Sequence, residues 1–362
     1  MTSDLMRPVM IMAGGTGGHV YPALAVADEL KQRGVPVVWM GTKKGIEARL
    51  VPEAGIEIDW LSMSGLRGKG ALTLLLAPVK IIMACYQALR ILQKRKPSVV
   101  LGMGGFVSAP GGLMAWLTRV PLLIHEQNAV PGMSNRLLSR IANKVMQAFP
   151  DSFKTESVHV GNPVRRAITS LSSPEQRNKE RQGALRVLVF GGSLGAARLN
   201  EIVPQACASI LKERELLIKH QAGAGNFDQT RLNYAHLKVK AEVLEYIDNM
   251  ESVYAWADLV ICRAGAMTIA ELAVAGVASI LVPYPYAVDD HQTFNAKYLS
   301  DAGAAVLLKQ DDLNVEKLVG VLKKMDRDKT LEMANKARQL GMPESTKLVT
   351  EVCLMAGGFD VN

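Results

Sequence analysis

At 362 residues, with 49% hydrophobic and 21% charged side chains, the chain has room for two ordinary globular domains and is too apolar to be disordered. A formal net charge of +8 points to an anionic partner; 5% aromatic residues without a basic–aromatic repeat argue against nucleic acid. Cys85, Cys207, Cys262 and Cys353 fall at no metal-ligand spacing and read as reduced cytosolic thiols, so no metal is expected.

The chain ahead of the first strand, with Asp4 and Arg7, reads as free of a secretory signal. A strand is expected over 9–13, then Gly14-Gly15-Thr16-Gly17-Gly18-His19, then a helix from about 22 to 30. Glycine has no Cβ, so such a loop bends sharply and brings main-chain N–H groups against a phosphate, with the helix dipole adding to the attraction. The spacing is neither G-x-G-x-x-G nor a Walker loop, and a ligand-free turn is the plain alternative. Histidine's ordinary pKa of about 6.5 suits proton abstraction at neutral pH, which makes His19 a candidate base; a purely structural histidine is its alternative.

Strands are expected over 35–40 and 56–61, with a helix over 46–54 between them. Residues 64–70 read as a basic, glycine-rich loop. The apolar run 71–85 is broken by Pro78 and Lys80 and falls short of the roughly 20 helical residues that cross a bilayer. Within it Leu72, Leu75, Leu76, Val79, Ile82 and Met83 recur at helical spacing among Arg67, Lys69, Lys80 and Arg90. An apolar stripe rimmed by basic residues suits an anionic membrane surface, with a core face as the alternative. A strand over 98–101 opens into Gly102-Met103-Gly104-Gly105-Phe106, and strands over 122–126 and 144–148 flank a helix over 134–141. This alternation predicts a parallel sheet covered by helices on both faces.

Over 170–183 apolar periodicity lapses, which reads as the passage between two domains. The pattern then restarts with a strand over 186–190, Gly191-Gly192-Ser193-Leu194-Gly195 and a helix over 196–211. Strands follow over 215–220, 241–244, 259–262, 279–282 and 305–308, with closing helices over 313–325 and 330–340. A last helix over 345–355 is expected to cover the first domain. Two Rossmann-like halves are the simplest account. Open parallel sheets bind ligands at the carboxyl ends of their strands, so the two glycine loops are expected to line one cleft for two phosphate-bearing molecules.

Gly265-Ala266-Met267-Thr268-Ile269-Ala270-Glu271 reads either as a plain helix start or as a ligand cradle. In the second case the Ala266 and Met267 N–H groups meet an anion, Glu271 accepts from a ribose diol, and Arg263 neutralises a diphosphate. Asp289-Asp290-His291-Gln292 looks like a metal cluster on paper, but adjacent carboxylates seldom face one ion. A nicotinamide-dependent dehydrogenase would need an acidic residue closing the second strand, where the chain reads Gly41-Thr42-Lys43-Lys44.

Taken in order, Gly14 to His19, Gly102 to Ser108, His125-Glu126-Gln127-Asn128, Gly161-Asn162-Pro163-Val164-Arg165, Gly191 to Ala196 and Cys262 to Ala266 resemble the MurG family of bacterial transferases, which add N-acetylglucosamine to lipid I. The likeness runs almost end to end. It implies an α/β protein of two Rossmann-like domains facing across a cleft, the GT-B fold. Residues 1–164 would bind acceptor and membrane, a helix at about 343–362 would pack back on them, and 165–342 would bind the UDP-sugar. The implied reaction is inverting transfer of N-acetylglucosamine from UDP-N-acetylglucosamine to the muramyl 4-hydroxyl of lipid I, giving lipid II for peptidoglycan, without a cofactor.

By motif, Glu271 would bind ribose, Ser193 and Arg165 would lie near the diphosphate, and Ile247 would contact uracil. Ala266, Met267, Thr268, Ile269 and Ala270 would wrap the donor with main-chain groups. Asn128, Thr16, Gly17 and Gly18 would reach the sugar, and Gln292 would hold its hydroxyls, although the family's Gln-Gln pair reads His291-Gln292 here. His19 is the candidate base or, alternatively, a hold on the acceptor diphosphate. The stripe over 72–83, with Trp116, would dock on the cytoplasmic face of the inner membrane, where cell-wall and division proteins are candidate partners. A glycolipid synthase of the same fold and a non-catalytic membrane module are the rival readings.

Overall fold

The computed structural model describes residues 6–63, 77–179, 181–192 and 194–360. The loop 64–70, the stripe positions Leu72, Leu75 and Leu76, and Ser193 lie outside the described residues. The chain forms two compact units, Met1–Val164 with Pro343–Asn362, and Arg165–Met342.

In the first unit, β1 (Val9–Met12), β2 (Val37–Gly41), β3 (Glu57–Trp60), β4 (Val99–Gly102), β5 (Leu122–Glu126), β6 (Lys144–Gln147) and the short edge strand β7 (Val158–His159) form a parallel sheet in the order β3-β2-β1-β4-β5-β6-β7. The inner strands β1, β2 and β4 read as unbroken apolar runs because helices cover both faces. Alternate side chains separate cleanly. Val9, Ile11 and Ala13 pack with Val20, Ala23, Val26 and Leu30 of α1 (Gly17–Gln32), below which α2 (Glu47–Glu53) follows β2. Met10, Met12 and Met40 face the other way, onto Ala88, Ile91 and Leu92 of α3 (Ala77–Arg95) and Ala115 of α4 (Ser108–Leu117). The unit also holds α5 (Met133–Leu138).

The second unit opens with α6 (Arg166–Thr169) and α7 (Pro174–Asn178). Strands β8 (Leu185–Phe190), β9 (Leu216–Gln221), β10 (Glu242–Leu244), β11 (Leu259–Cys262), β12 (Ala278–Leu281) and β13 (Ala305–Leu307) pair in the order β10-β9-β8-β11-β12-β13. Its later helices are α8 (Ala197–Ile210), α9 (Phe227–His236), α10 (Met250–Trp256), α11 (Ala266–Ala275), α12 (His291–Ser300), α13 (Val315–Lys323) and α14 (Arg327–Leu340). The last helix, α15 (Ser345–Gly357), packs on α1 and buries Val349, Cys353 and Leu354 in the first unit's core. In each parallel sheet the strand order reverses once, between β1 and β4 and between β8 and β11, and such a switch point opens a crevice at the strands' carboxyl ends. Among the described residues no helix is long and apolar enough to cross a membrane.

Three stretches differ from expectation. First, α1 starts at Gly17 rather than near 22, because Thr16 supplies an extended N-cap and Pro22 is accommodated inside the helix. Residues 108–117 also form a helix despite Pro110, Gly111 and Gly112. A Cβ on Gly112 would come within 2.8 Å of Leu138, and one on Gly111 would collide with Met12 Sδ, so these glycines let α4 approach the sheet and α5 closely. Finally, residues 170–183 belong wholly to the second unit and make no passage between domains. Polar anchors replace apolar ones there: Ser173 and Gln176 form a capping box, Arg177 donates to the Gly276 carbonyl at 2.6 Å, and Arg181 pairs with buried Asp258 at 2.5 Å.

Candidate active site

In the second unit, the chain leaves β11 through Arg263-Ala264-Gly265 and enters α11. Gly265 is an extended N-cap with no side-chain cap, and the positive end of the helix dipole lies at the carboxyl end of β11. Glu271 follows within the helix, its side chain 13% exposed. One carboxylate oxygen lies 3.5 Å from Arg165 Nη2, and the other accepts from the Tyr254 hydroxyl at 3.1 Å. Burial pushes the Glu271 carboxyl above its ordinary pKa, against the opposing pull of Arg165 and Tyr254. Gln292 uses Oε1 to accept from the Ala264 and Tyr284 N–H groups, at 3.2 and 2.9 Å, stapling together the turns after β11 and β12. Its Nε2 has no partner among the described residues and can donate. Ile247 is only 8% exposed, so its main chain rather than its side chain is what it can offer a ligand.

One reading of this unit needs correction. The Arg263 guanidinium is already committed: it donates to the Val282 and Pro283 carbonyls at 3.1 Å and to Gln310 at 2.6 Å, and it lies over the Tyr284 ring. It is a strut between turns, not a free counter-charge for a diphosphate. Asp290 and His291 serve a turn as well, through Thr293 Oγ1 to Asp290 at 2.7 Å and His291 Nδ1 to the Val288 carbonyl at 2.8 Å.

In the first unit, the glycine loop after β1 is tied from below by Glu47, which is fully buried. Glu47 accepts from Gly15 N at 2.9 Å and from the Thr42 N–H and hydroxyl at 3.0 and 2.7 Å. The Gly15 N–H is therefore spent on a carboxylate of the protein itself. What remains for an anion is the start of α1, where Gly17 and Gly18 follow a Thr16 N-cap whose side chain makes no cap bond. His19 Nδ1 lies 2.8 Å from Gln127 Oε1, and Gln127 Nε2 lies 3.0 Å from His125 Nδ1. Burial lowers the pKa of His125 to about 4. Gly104 holds φ at +94°, and a Cβ there would come within 2.6 Å of His19 Nδ1. Buried Glu126 sets Asn128: one oxygen accepts from the Asn128 N–H and Nδ2 at 2.9 and 3.2 Å, and the other from Gly132 N and Asn135 Nδ2, both at 3.0 Å.

Thus Arg165, Glu271, Gln292 and the first turn of α11 gather at one strand edge, and Thr16 to His19 with Asn128 at the other unit's. Reading the sequence leaves Tyr254, Glu47, Glu126 and Gln127 without roles. One signal was present: His125-Glu126-Gln127-Asn128 ends a fully buried strand on four polar residues, each of which must find a partner.

Residues 9–147 match the glycosyltransferase family 28 N-terminal domain, and residues 186–349 match the family's C-terminal domain. The UDP-N-acetylglucosamine--N-acetylmuramyl-(pentapeptide) pyrophosphoryl-undecaprenol N-acetylglucosamine transferase of Dechloromonas aromatica (strain RCB) is 51% identical over 349 residues, covering 96% of this chain and 99% of that protein. The protein of the same name from Methylococcus capsulatus (strain ATCC 33009 / NCIMB 11132 / Bath) is 51% identical over 358 residues, 98% and 100% of the two chains. The crystal structure of Acinetobacter baumannii MurG matches with a TM-score of 0.86 at 42% identity, over 96% of this chain and 99% of that one. A UDP-GlcNAc 2-epimerase from Neisseria meningitidis, 13% identical with a TM-score of 0.67, shares the fold alone. With two parallel-sheet domains of the GT-B fold, both family domains in order and half of all aligned positions identical to full-length relatives, the chain belongs to glycosyltransferase family 28.

Proposed function

We propose that this chain moves N-acetylglucosamine from UDP-N-acetylglucosamine to the muramyl 4-hydroxyl of lipid I, giving lipid II. What carries the reading is 51% identity over nearly the whole of both chains to a transferase named for those substrates. The site chemistry supports it.

The second unit takes the donor. Main-chain groups of Ala266, Met267, Thr268, Ile269 and Ala270 line its diphosphate and sugar, and Ile247 borders the uracil. Glu271 accepts from the ribose hydroxyls, since an ionised carboxylate keeps lone pairs beyond those used by Arg165 and Tyr254. Gln292 donates from Nε2 to a sugar hydroxyl. The first unit takes the acceptor and, through Thr16, Gly17, Gly18 and Asn128, reaches the transferred sugar. His19 removes the acceptor hydroxyl's proton as that oxygen attacks the anomeric carbon and UDP departs, inverting the centre. Negative charge grows on the leaving diphosphate, where the α11 N-terminus, Ser193 and the 41%-exposed Arg165 side chain stabilise it.

The acceptor is a lipid, and the first unit has a surface suited to one. The neighbouring helices α3, α4 and α5 carry exposed Ile82 (68%), Met83 (54%), Trp116 (48%), Leu117 (57%) and Met133 (69%), beside Lys80, Arg90, Arg136 and Arg140. Apolar side chains with a basic rim suit the anionic cytoplasmic face of the inner membrane.

Labelled UDP-N-acetylglucosamine, offered with a lipid I analogue or with diacylglycerol, tests the reaction. Label is expected in the lipid I analogue only, and transfer to diacylglycerol alone would overturn the reading. On vesicles rich in anionic lipid, Ile82→Glu with Met83→Glu is expected to abolish sedimentation while turnover of a water-soluble acceptor continues.

A further inference from the structure

The hydrogen bonds around His19 can be followed from a fixed end. His125 in β5 is fully buried, and its Nε2 lies 2.8 Å from the Gly161 carbonyl oxygen. A carbonyl only accepts, so Nε2 carries a proton. The other ring nitrogen, Nδ1, lies 3.0 Å from Gln127 Nε2. That same amide nitrogen lies 3.1 Å from the main-chain carbonyl of His125, which again can only accept. The NH2 end of the Gln127 amide must therefore face His125, and His125 Nδ1 must be a bare lone pair. Flipping the amide would set its oxygen against the carbonyl and would require His125 to be doubly protonated, which a histidine whose pKa burial lowers to about 4 does not tolerate at neutral pH. The Gln127 main chain is held as well, its carbonyl accepting from Asn162 Nδ2 at 3.0 Å.

With the amide fixed, Oε1 faces His19 Nδ1 at 2.8 Å and can only accept. His19 Nδ1 must donate. A neutral imidazole has one N–H, so the lone pair falls on Nε2, which has no hydrogen-bond partner among the described residues. Gly104 leaves room for the Nδ1 edge of the ring, since a Cβ there would come within 2.6 Å of that nitrogen.

We propose that Gln127 is a positioning residue: backed by His125 and the Gly161 carbonyl, it holds neutral His19 as the Nδ1–H tautomer and leaves Nε2 as the basic atom. The inference rests on His19 acting as the base. The proton path is short and balances. His19 Nε2 accepts the acceptor's hydroxyl proton, the ring becomes an imidazolium, and its Nδ1–H continues to donate to the Gln127 oxygen, which gains strength as an acceptor of a charged donor.

The test is long-range proton–nitrogen correlation NMR on full-length protein labelled with nitrogen-15 histidine, recorded above the ordinary histidine pKa of about 6.5. Wild-type His19 is expected to show a protonated Nδ1 and a bare Nε2; an Nε2–H signal in the wild type overturns the inference without any variant. In Gln127→Met, His19 is expected to drift to a mixture of tautomers, and kcat to fall by about tenfold or more, within the range that a general base contributes, while the KM for UDP-N-acetylglucosamine holds. Lost kcat with the wild-type tautomer intact in that variant would also refute it. If His19→Ala keeps its kcat, the base assignment fails instead, and the tautomer measurement still reports on Gln127 independently.

Discussion

Glu271 holds an ion pair with Arg165 and a hydrogen bond from Tyr254, so its capacity for a ribose diol depends on its staying ionised. Burial raises its pKa, which means protonation starts at a higher pH than for an exposed glutamate. On acidification the KM for the donor should therefore climb while ordinary surface carboxylates are still charged. In Glu271→Gln the KM should be raised at every pH, by roughly 10- to 100-fold for the loss of bonds to a charged acceptor, and the acid-side climb should vanish. Steady-state kinetics across the weakly acidic range separates the two effects. From local sequence alone Glu271 stays open between a plain helix start and a ligand carboxylate, and its ribose role comes from the motif resemblance; its buried partners, Arg165 and Tyr254, lie far off in sequence. Arg263 misleads because sequence adjacency says nothing about where a long side chain swings; here it swings away, onto the Val282 and Pro283 carbonyls. Glu47 stays illegible for a related reason, since its partners, Gly15 and Thr42, come from two different loops.

The strands were legible at the scale of elements. Runs such as Val-Met-Ile-Met and Leu-Val-Ile-Cys are apolar on both faces and stop at glycine or a polar residue. Helix α4 was not, because Pro110, Gly111 and Gly112 advertise a loop while tertiary packing needs their smallness. Two substitutions contrast the cases. Gly111→Ala drives a methyl into Met12 and should cost about 1–3 kcal/mol of the first unit's stability, despite alanine's better helix propensity. Gly320→Ala in α13 meets nothing within 4 Å and should instead stabilise the second unit by about 0.5–1 kcal/mol. Chemical denaturation reads both. The opposite signs from one chemical change follow from what each Cβ touches.

At the scale of the molecule, each unit keeps one neutral histidine in its core. His125 falls to about 4, while His220, between the Tyr234 hydroxyl and Asn200 Oδ1 at 3.0 Å each, falls to about 3; burial is the cause in both. Because these pKa values lie below those of the unfolded chain, the folded protein binds fewer protons, and stability present above about pH 6.5 drains away as pH falls toward 4. At about 1.4 kcal/mol per pKa unit, His125 withdraws on the order of 3 kcal/mol by pH 4 and His220 on the order of 5 kcal/mol by pH 3. His220→Gln should flatten the second unit's share of the acid limb in thermal melts taken at successive pH values. A second prediction concerns α15. Ending the chain after Met342 strips Val349, Cys353 and Leu354 from the first unit's core, at about 1.5–3 kcal/mol for each large side chain, and should lower that unit's melting transition while UDP binding by the second persists. Helix α15 also fixes an order of events during synthesis. Residues 165–342 leave the ribosome as one uninterrupted unit, ready to collapse at once, whereas residues 1–164 emerge first and must wait for a helix translated after all of their neighbour. Throughout that interval the α1 face stands bare, so the half of the protein made earliest is the half a nascent-chain chaperone has longest to guard.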